Sequence, residues 1–185
     1  MDPTAELRER DALLDRIRVY VDRVGLSALT LERAAAAIGV TAEVLRGYFE
    51  SKEDLIVAMI ARNRIRLRER FAKLDLQVSS DEFRRLMWNF YVDTIEDSRL
   101  FYEAYGLALY DNHYGDFLHG INDWLALLRE SLVRRGIPSE RAEAFATLSL
   151  AVFRGAMMDL LATGERARVN AAMEEWFRAA RWLSE

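Results

Sequence analysis

Residues 30–55 read TLERAAAAIGVTAEVLRGYFESKEDL, and the fold turns on this stretch. Thr30 is placed to cap a helix over 31–38, and Gly39 breaks it. Thr41 is placed to cap the next helix, over about 42–48. A helix-turn-helix needs a small residue where its helices cross and a turn residue that tolerates positive φ. It also needs apolar inner faces that leave the second helix's outer face free. Ala35 supplies the crossing residue and Gly39 the turn, while Ile38, Val40 and Leu45 face inward. Thr41 then opens a recognition helix whose amide-rich N-terminus suits phosphate. An ordinary helical hairpin in a bundle shares part of this pattern.

Outward from this stretch the chain reads as helices alone. Leu14, Ile17, Val21 and Val24, widened by Leu13 and Tyr20, predict a helix over 11–24, ended by Gly25. Ser51, with Asp54 at its third helical position, caps a fourth helix running to about 73. Ser79, Ser80 or Asp81 opens a fifth, with Phe83, Leu86, Met87, Phe90, Tyr91 and Ile95. A sixth spans 98 to about 110. A seventh spans 114–135, with an irregular start around Gly115 and Gly120. Ser139 is placed to cap an eighth, running to Ala162 and ending at Gly164, and the last covers about 165–183. The expected fold is therefore all-α, with a helix-turn-helix three-helix domain (1–55) and a larger bundle (56–185), about nine helices in total.

The bulk composition fits. The 185 residues are 51% apolar and 30% charged, with two prolines and no cysteine. Disulfides, thiolate metal sites and cysteine nucleophiles are excluded. The charged N-terminus lacks a signal-peptide core and no apolar run reads as long enough to cross a bilayer, so a cytoplasmic protein with no membrane partner is expected.

The residues after the turn narrow the reading. Thr30, Gly39-Val40-Thr41, Leu45, Tyr48-Phe49 and Ser51-Lys52-Glu53-Asp54-Leu55 resemble the TetR family of transcriptional regulators, and Gly25 matches that family's glycine after helix one. The close likeness covers about 11–58. The resemblance implies a homodimeric repressor or activator of an operator on double-stranded DNA, with a small-molecule effector. It implies phosphate contacts from Thr30, Thr41 and Lys52, and a packing or backbone role for Tyr48. Ala42, Glu43, Val44, Arg46 and Gly47 would face base edges, with Arg46 suited to guanine, Glu43 to cytosine and Val44 to a thymine methyl. The chain departs from the family at Arg46, where a phosphate-contacting tyrosine is usual, at Gly47 and at Val44. Arg46 can equally replace that tyrosine as a phosphate contact.

The charge balance pulls the other way. Residues 1–55 hold eight Arg/Lys against eleven Asp/Glu, a net charge of −3, whereas phosphate binding normally draws on cations and counterion release. One reading is a lean but specific DNA binder relying on Arg33, Arg46, Lys52 and helix dipoles. The other is a degenerate helix-turn-helix that acts on a protein or other partner. The arginines at 62, 64, 66, 68 and 70 read as a solvated face.

Aromatic residues crowd 83–124. Trp88, Tyr91, Tyr102, Tyr105, Phe117 and Trp124 are candidate lining for a pocket that suits an apolar or aromatic ligand. The helix over 142–161 is apolar nearly all round, so a second chain is the simplest cover for its outer face. Phe145, Leu148, Val152 and Met157, with Met173, Trp176, Phe177 and Ala180 of the last helix, are candidates for a two-fold interface, which would imply a palindromic operator. His113 and His119 lack the spacing of a helical metal pair, and no catalytic motif or phosphate-cradling loop is present. An enzyme, a metal and a cofactor are not expected. Ligand binding is expected to act by shifting the fourth helix, whose start adjoins Tyr48-Phe49.

Overall fold

The computed structural model describes residues 3–74 and 78–184, and helices are its only regular elements. They are α1 (Pro3–Val24), α2 (Leu31–Ile38), α3 (Ala42–Arg46), α4 (Lys52–Phe71), α5 (Ser80–Asp93), α6 (Ile95–Ala108), a 3₁₀ turn at Asn112–Tyr114, α7 (Gly115–Arg134), α8 (Ser139–Thr163) and α9 (Arg166–Ser184). The all-α expectation holds. The chain divides into two compact units. One comprises Met1–Ala72 and Arg99–Leu118, the other Lys73–Ser98 and His119–Glu185. The expected boundary after residue 55 falls within α4, and the first unit runs on to include all of it.

Several ends differ from the sequence reading. α1 begins eight residues earlier than 11. Pro3 is tolerated at a first helical position and the following residues favour helix. That extension lies on the surface, with Leu7 exposed, so it carries no apolar stripe to announce it. α3 stops at Arg46, two residues short of the expected 48. Ser139 does not cap α8: Pro138 holds the cap position without a side-chain bond, and the Ser139 hydroxyl instead accepts from Arg129. Gly120 lies inside α7 without a break. Of Ser79, Ser80 and Asp81, Ser79 caps α5, and it does so in a capping box that the sequence reading did not name, with Ser79 Oγ accepting from Glu82 N and Glu82 Oε2 accepting from Ser79 N at 3.0 Å.

The first unit is organised around one apolar core. Leu14, Ile17, Leu26, Leu29, Ala34, Leu45, Leu55 and Ile56 are at most 2% exposed. Leu100, Ala104 and Ala108 of α6, and Tyr114, join the same cluster. α6 is thus part of the core that shapes the helix-turn-helix, a role the sequence did not suggest. Glu103 adds a polar tie, its Oε2 accepting from Leu26 N at 2.5 Å. A Cβ on Gly25 would stand 3.1 Å from that carboxylate, and Gly25 has φ +78. The positive φ favours glycine there, and an added Cβ would also press on the Glu103 carboxylate.

In the second unit α5, α8 and α9 pack on one another. Trp88 is buried and its Nε1 donates to Asn170 Oδ1 at 2.9 Å. Arg85 grips Glu174 through two bonds of 3.1 and 2.6 Å. The α8–α9 turn is tied by Arg168, whose Nη1 and Nη2 donate to Asp159 at 2.7 and 2.8 Å. By length and mean hydropathy α8 would suffice to cross a bilayer, against the sequence reading. One face of it, from Ala142 through Phe145, Leu150, Phe153 and Met157 to Leu160, is buried in the folded unit, as in the core helix of a bundle.

Candidate nucleic-acid interface

The turn between α2 and α3 is built by backbone bonds that the sequence foreshadows. Gly39 takes φ +71. Its N–H donates to Ala36 O at 3.3 Å, and Val40 N donates to Ala35 O at 3.0 Å. This is a Schellman closure, satisfying carbonyls that the helix end would leave orphaned. Arg16 of α1 also donates to Ile38 O. Ala35 is 2% exposed and Leu45 fully buried, so the two helices cross closely, as Ala35 predicts.

Three hydroxyls set the helix starts. Thr30 Oγ1 accepts from Arg33 N at 3.2 Å, Thr41 Oγ1 from Val44 N at 3.3 Å, and Ser51 Oγ from Asp54 N at 3.1 Å. All three serve as N-caps. With Leu45 buried, Thr41, Glu43, Val44, Arg46 and Gly47 are exposed, while Ala42, Tyr48 and Lys52 are half-buried. Val44 is 41% exposed, a β-branched apolar side chain presented to solvent at the centre of the helix.

Two arginines of this face are engaged. Arg46 Nη2 lies 2.5 Å from Glu32 Oε1 on α2. Hydrogen bonds from the Glu32 backbone and the Thr30 hydroxyl, together with Arg46, hold the Glu32 carboxyl below its usual pKa. Arg33 Nη1 donates to Ala28 O at 3.2 Å. The Tyr48 hydroxyl is bonded to Glu9 of α1, and that bond, with burial and the charges of Glu9 and Glu6, raises its pKa. Phe49 is buried under the Arg10 guanidinium, 5.4 Å from its ring centroid.

Two acids of α1 are also paired. Arg62 of α4 lies 3.1 Å from Asp11 and 3.0 Å from Asp15, and Arg66 lies 3.7 Å from Asp15. The α4 arginines are therefore not a purely solvated face, since two of them join α4 to α1. Part of the negative charge counted in residues 1–55 is neutralised by residues beyond 55. Glu43 on α3 and Glu50 just after it stay exposed.

This arrangement, a capped and partly exposed α3 set on α2 through a left-handed glycine and backed by α1 and α4, has counterparts among solved structures. A transcriptional regulator from Rhodococcus sp. Rha1 superposes with a TM-score of 0.81 at 14% identity, covering 92% of this chain and 94% of that one. A TetR-family regulator from Agrobacterium tumefaciens gives 0.76 at 18% identity, with coverage of 94% and 97%. A regulator from Saccharomonospora viridis, solved in complex with choline, gives 0.77 at 16% identity and 95% coverage of each chain. The fold is that of the TetR-family regulators. Neither a protein-family model nor a curated protein matches the sequence.

Within this TetR-type fold the other candidate residues divide between the units. In the first, Tyr102 and Tyr105 flank Phe101, and Phe101 and Tyr105 meet Phe117 at 5.2 and 6.3 Å between ring centroids. In the second, Phe153 meets Trp88 at 6.3 Å and Tyr91 at 5.7 Å, and Trp124 meets Phe90 at 6.0 Å. Burial pushes the Tyr91 hydroxyl up to about 12, against a smaller opposing effect of Arg154. Of the eight residues expected at a dimer interface, Phe145, Met157, Met173, Phe177 and Ala180 are buried in the chain's own core. Leu148 is exposed, and Val152 and Trp176 are half-buried.

The sequence reading missed Glu32, Glu103 and the Asp11–Asp15–Arg62 group. No local spacing signals them, because each contact joins two different segments of the chain and depends on how these pack. It also missed Arg84. A signal existed there: Arg84 falls three residues before Met87 and seven before Tyr91, on the apolar stripe of α5, where a charged residue is out of place.

Proposed function

We propose that this protein is a dimeric transcriptional regulator that reads a palindromic operator through α3 and is released from it by a small-molecule effector. The observation that carries the reading is α3 itself. Its inner residue Leu45 is fully buried while Val44 and Arg46 stand exposed beside an N-terminus capped by Thr41. That arrangement spends the helix's apolar content on docking to α2 and leaves its outer face for a major groove. Thr30, Thr41 and Lys52 stand at helix starts, where backbone amides favour phosphate. Arg33, Ala42, Glu43, Gly47 and Tyr48 complete the contact surface. The choline complex of the Saccharomonospora viridis fold relative supports a small-molecule effector, and the effector is assigned to the helical unit beyond the reading head.

The test is selection of binding duplexes from a random pool by the full chain, followed by gel-shift titration across salt concentrations. A selected palindrome whose affinity falls as salt rises supports the reading. A second reading is kept open by the Arg46–Glu32 pair: with Arg46 neutralised inside the head, the segment would serve a protein partner instead. Failure to enrich any sequence at low salt would favour that alternative.

A further inference from the structure

The 3₁₀ turn at Asn112–Tyr114 meets the start of α4 inside the first unit. Asp111 caps the turn, its Oδ1 accepting from His113 N at 2.9 Å. Tyr114 anchors its other end, 4% exposed and part of the reading-head core. Between these two, the His113 ring stands edge-on to Tyr114, with 5.5 Å between centroids. Its Nε2 lies 3.4 Å from Asp54 Oδ1. Asp54 belongs to the first turn of α4, where its N–H donates to Ser51 Oγ at 3.1 Å. The His113 and Asp54 side chains are 43% and 38% exposed, so protons reach the pair from solvent.

Histidine is the side chain suited to change its charge between about pH 8 and 5. A carboxylate at 3.4 Å turns an added proton into an ion pair. Without the proton, a contact of that length is a weak one. The charged and titratable groups about it are Lys52, Glu53 and Asp54 on α4, with Asp111 and Tyr114 on the side of the turn. Burial, then the charges of Glu53 and Asp111, raise the pKa of Tyr114, so its phenol stays neutral across this range. Lys52, the expected phosphate contact, therefore shares the first turn of α4 with two acids, Glu53 and Asp54, that oppose phosphate. A proton on His113 offsets the Asp54 charge and ties that turn of α4 to the 3₁₀ turn. We propose that His113 makes operator binding proton-responsive: acidification pairs it with Asp54 and tightens the hold of the α4 start on phosphate. The inference rests on the DNA-binding reading above and adds a second input beside the effector. Because both partners are partly exposed, the effect is modest.

Fluorescence anisotropy of the full chain with its selected duplex, at about pH 8 and about pH 5.5, tests it against His113→Gln. The two proteins should bind alike at the higher pH. At the lower pH the unaltered chain should bind about twofold to fivefold more tightly than the variant. Equal affinities at the lower pH, or a tighter variant there, would overturn the proposal. Should His113→Gln fail to fold, Asp54→Asn takes its place, and its gain on acidification should be smaller than that of the unaltered chain; an equal gain overturns the proposal. Hydrogen exchange at the bonded amides of Asp54 and Leu55 gives a readout that needs no DNA. Greater protection in the unaltered chain than in His113→Gln is expected at the lower pH, and equal protection at the higher. Should no duplex be selected, the regulator reading falls, and exchange then judges the pairing alone: equal protection at both pH values overturns it.

Discussion

At the scale of single residues, the reading surface is governed by a competition for Arg46. Glu32 holds it at 2.5 Å, with both side chains more than half exposed. An exposed pair of this kind contributes little to stability, so its main effect is on what else Arg46 can reach. On the proposed reading, DNA would have to displace Glu32 before Arg46 could meet guanine or phosphate, and the carboxylate left behind would repel the backbone. Glu32→Gln is therefore expected to tighten operator binding several-fold and to leave the melting temperature nearly unchanged. Gel-shift titration at two salt concentrations checks this, and weaker binding by the variant would refute it. Tyr91 offers a second test at this scale. Its folded-state pKa of about 12 lies above the ordinary value of 10. Unfolding then favours release of its proton, so the stabilising effect is complete below pH 10 and is lost as pH rises through about 12. The loss should reach about 2–3 kcal/mol. Tyr91→Phe should flatten that part of the stability curve in urea titrations between pH 9 and 12.

At the scale of elements, legibility followed locality. α2 and its turn were readable because Thr30, Gly39 and Ala35 act within a few residues of their partners. α3 was read two residues too long because its end depends on where Phe49 is buried, which is a tertiary matter. The first turns of α1 were missed because propensity without an apolar stripe leaves little pattern. α6 was recognised as a helix, yet its membership of the reading-head core was not, since Leu100, Ala104 and Ala108 meet partners more than forty residues away. That membership has a measurable consequence. Glu103 supplies the acceptor for Leu26 N, and Leu26 is 2% exposed. Glu103→Ala leaves this N–H unsatisfied and is expected to reduce stability by about 1–3 kcal/mol. Glu103→Gln, which keeps a carbonyl oxygen, should recover most of the loss. Urea unfolding followed by circular dichroism distinguishes the two, and equal midpoints for Ala and Gln would assign the effect to something other than the lost acceptor.

At the scale of the whole molecule, the question is what covers α8. The apolar all-round character that suggested a dimer resolves into two faces. Phe145, Leu150, Phe153 and Met157 are buried within the chain, while Leu148 and Met158 are 43% and 56% exposed. Ala144, Ala151 and Gly155 lie exposed along the same helix. Small residues beside Leu148 and Met158 allow a second helix to approach closely, and a second copy of the chain presents the same strip, as a two-fold interface requires. The interface is therefore expected on Leu148, Met158 and the outer side of Val152, and not on the buried members of the set read from the sequence. Sedimentation of the full chain should give twice the 21.4 kDa chain mass. Leu148→Glu with Met158→Glu should return it to a monomer with an unchanged circular dichroism spectrum, because neither side chain supports the core. The same double variant should bind a half-site only weakly and lose preference for the intact palindrome. A double variant that stays dimeric would move the interface elsewhere on the surface.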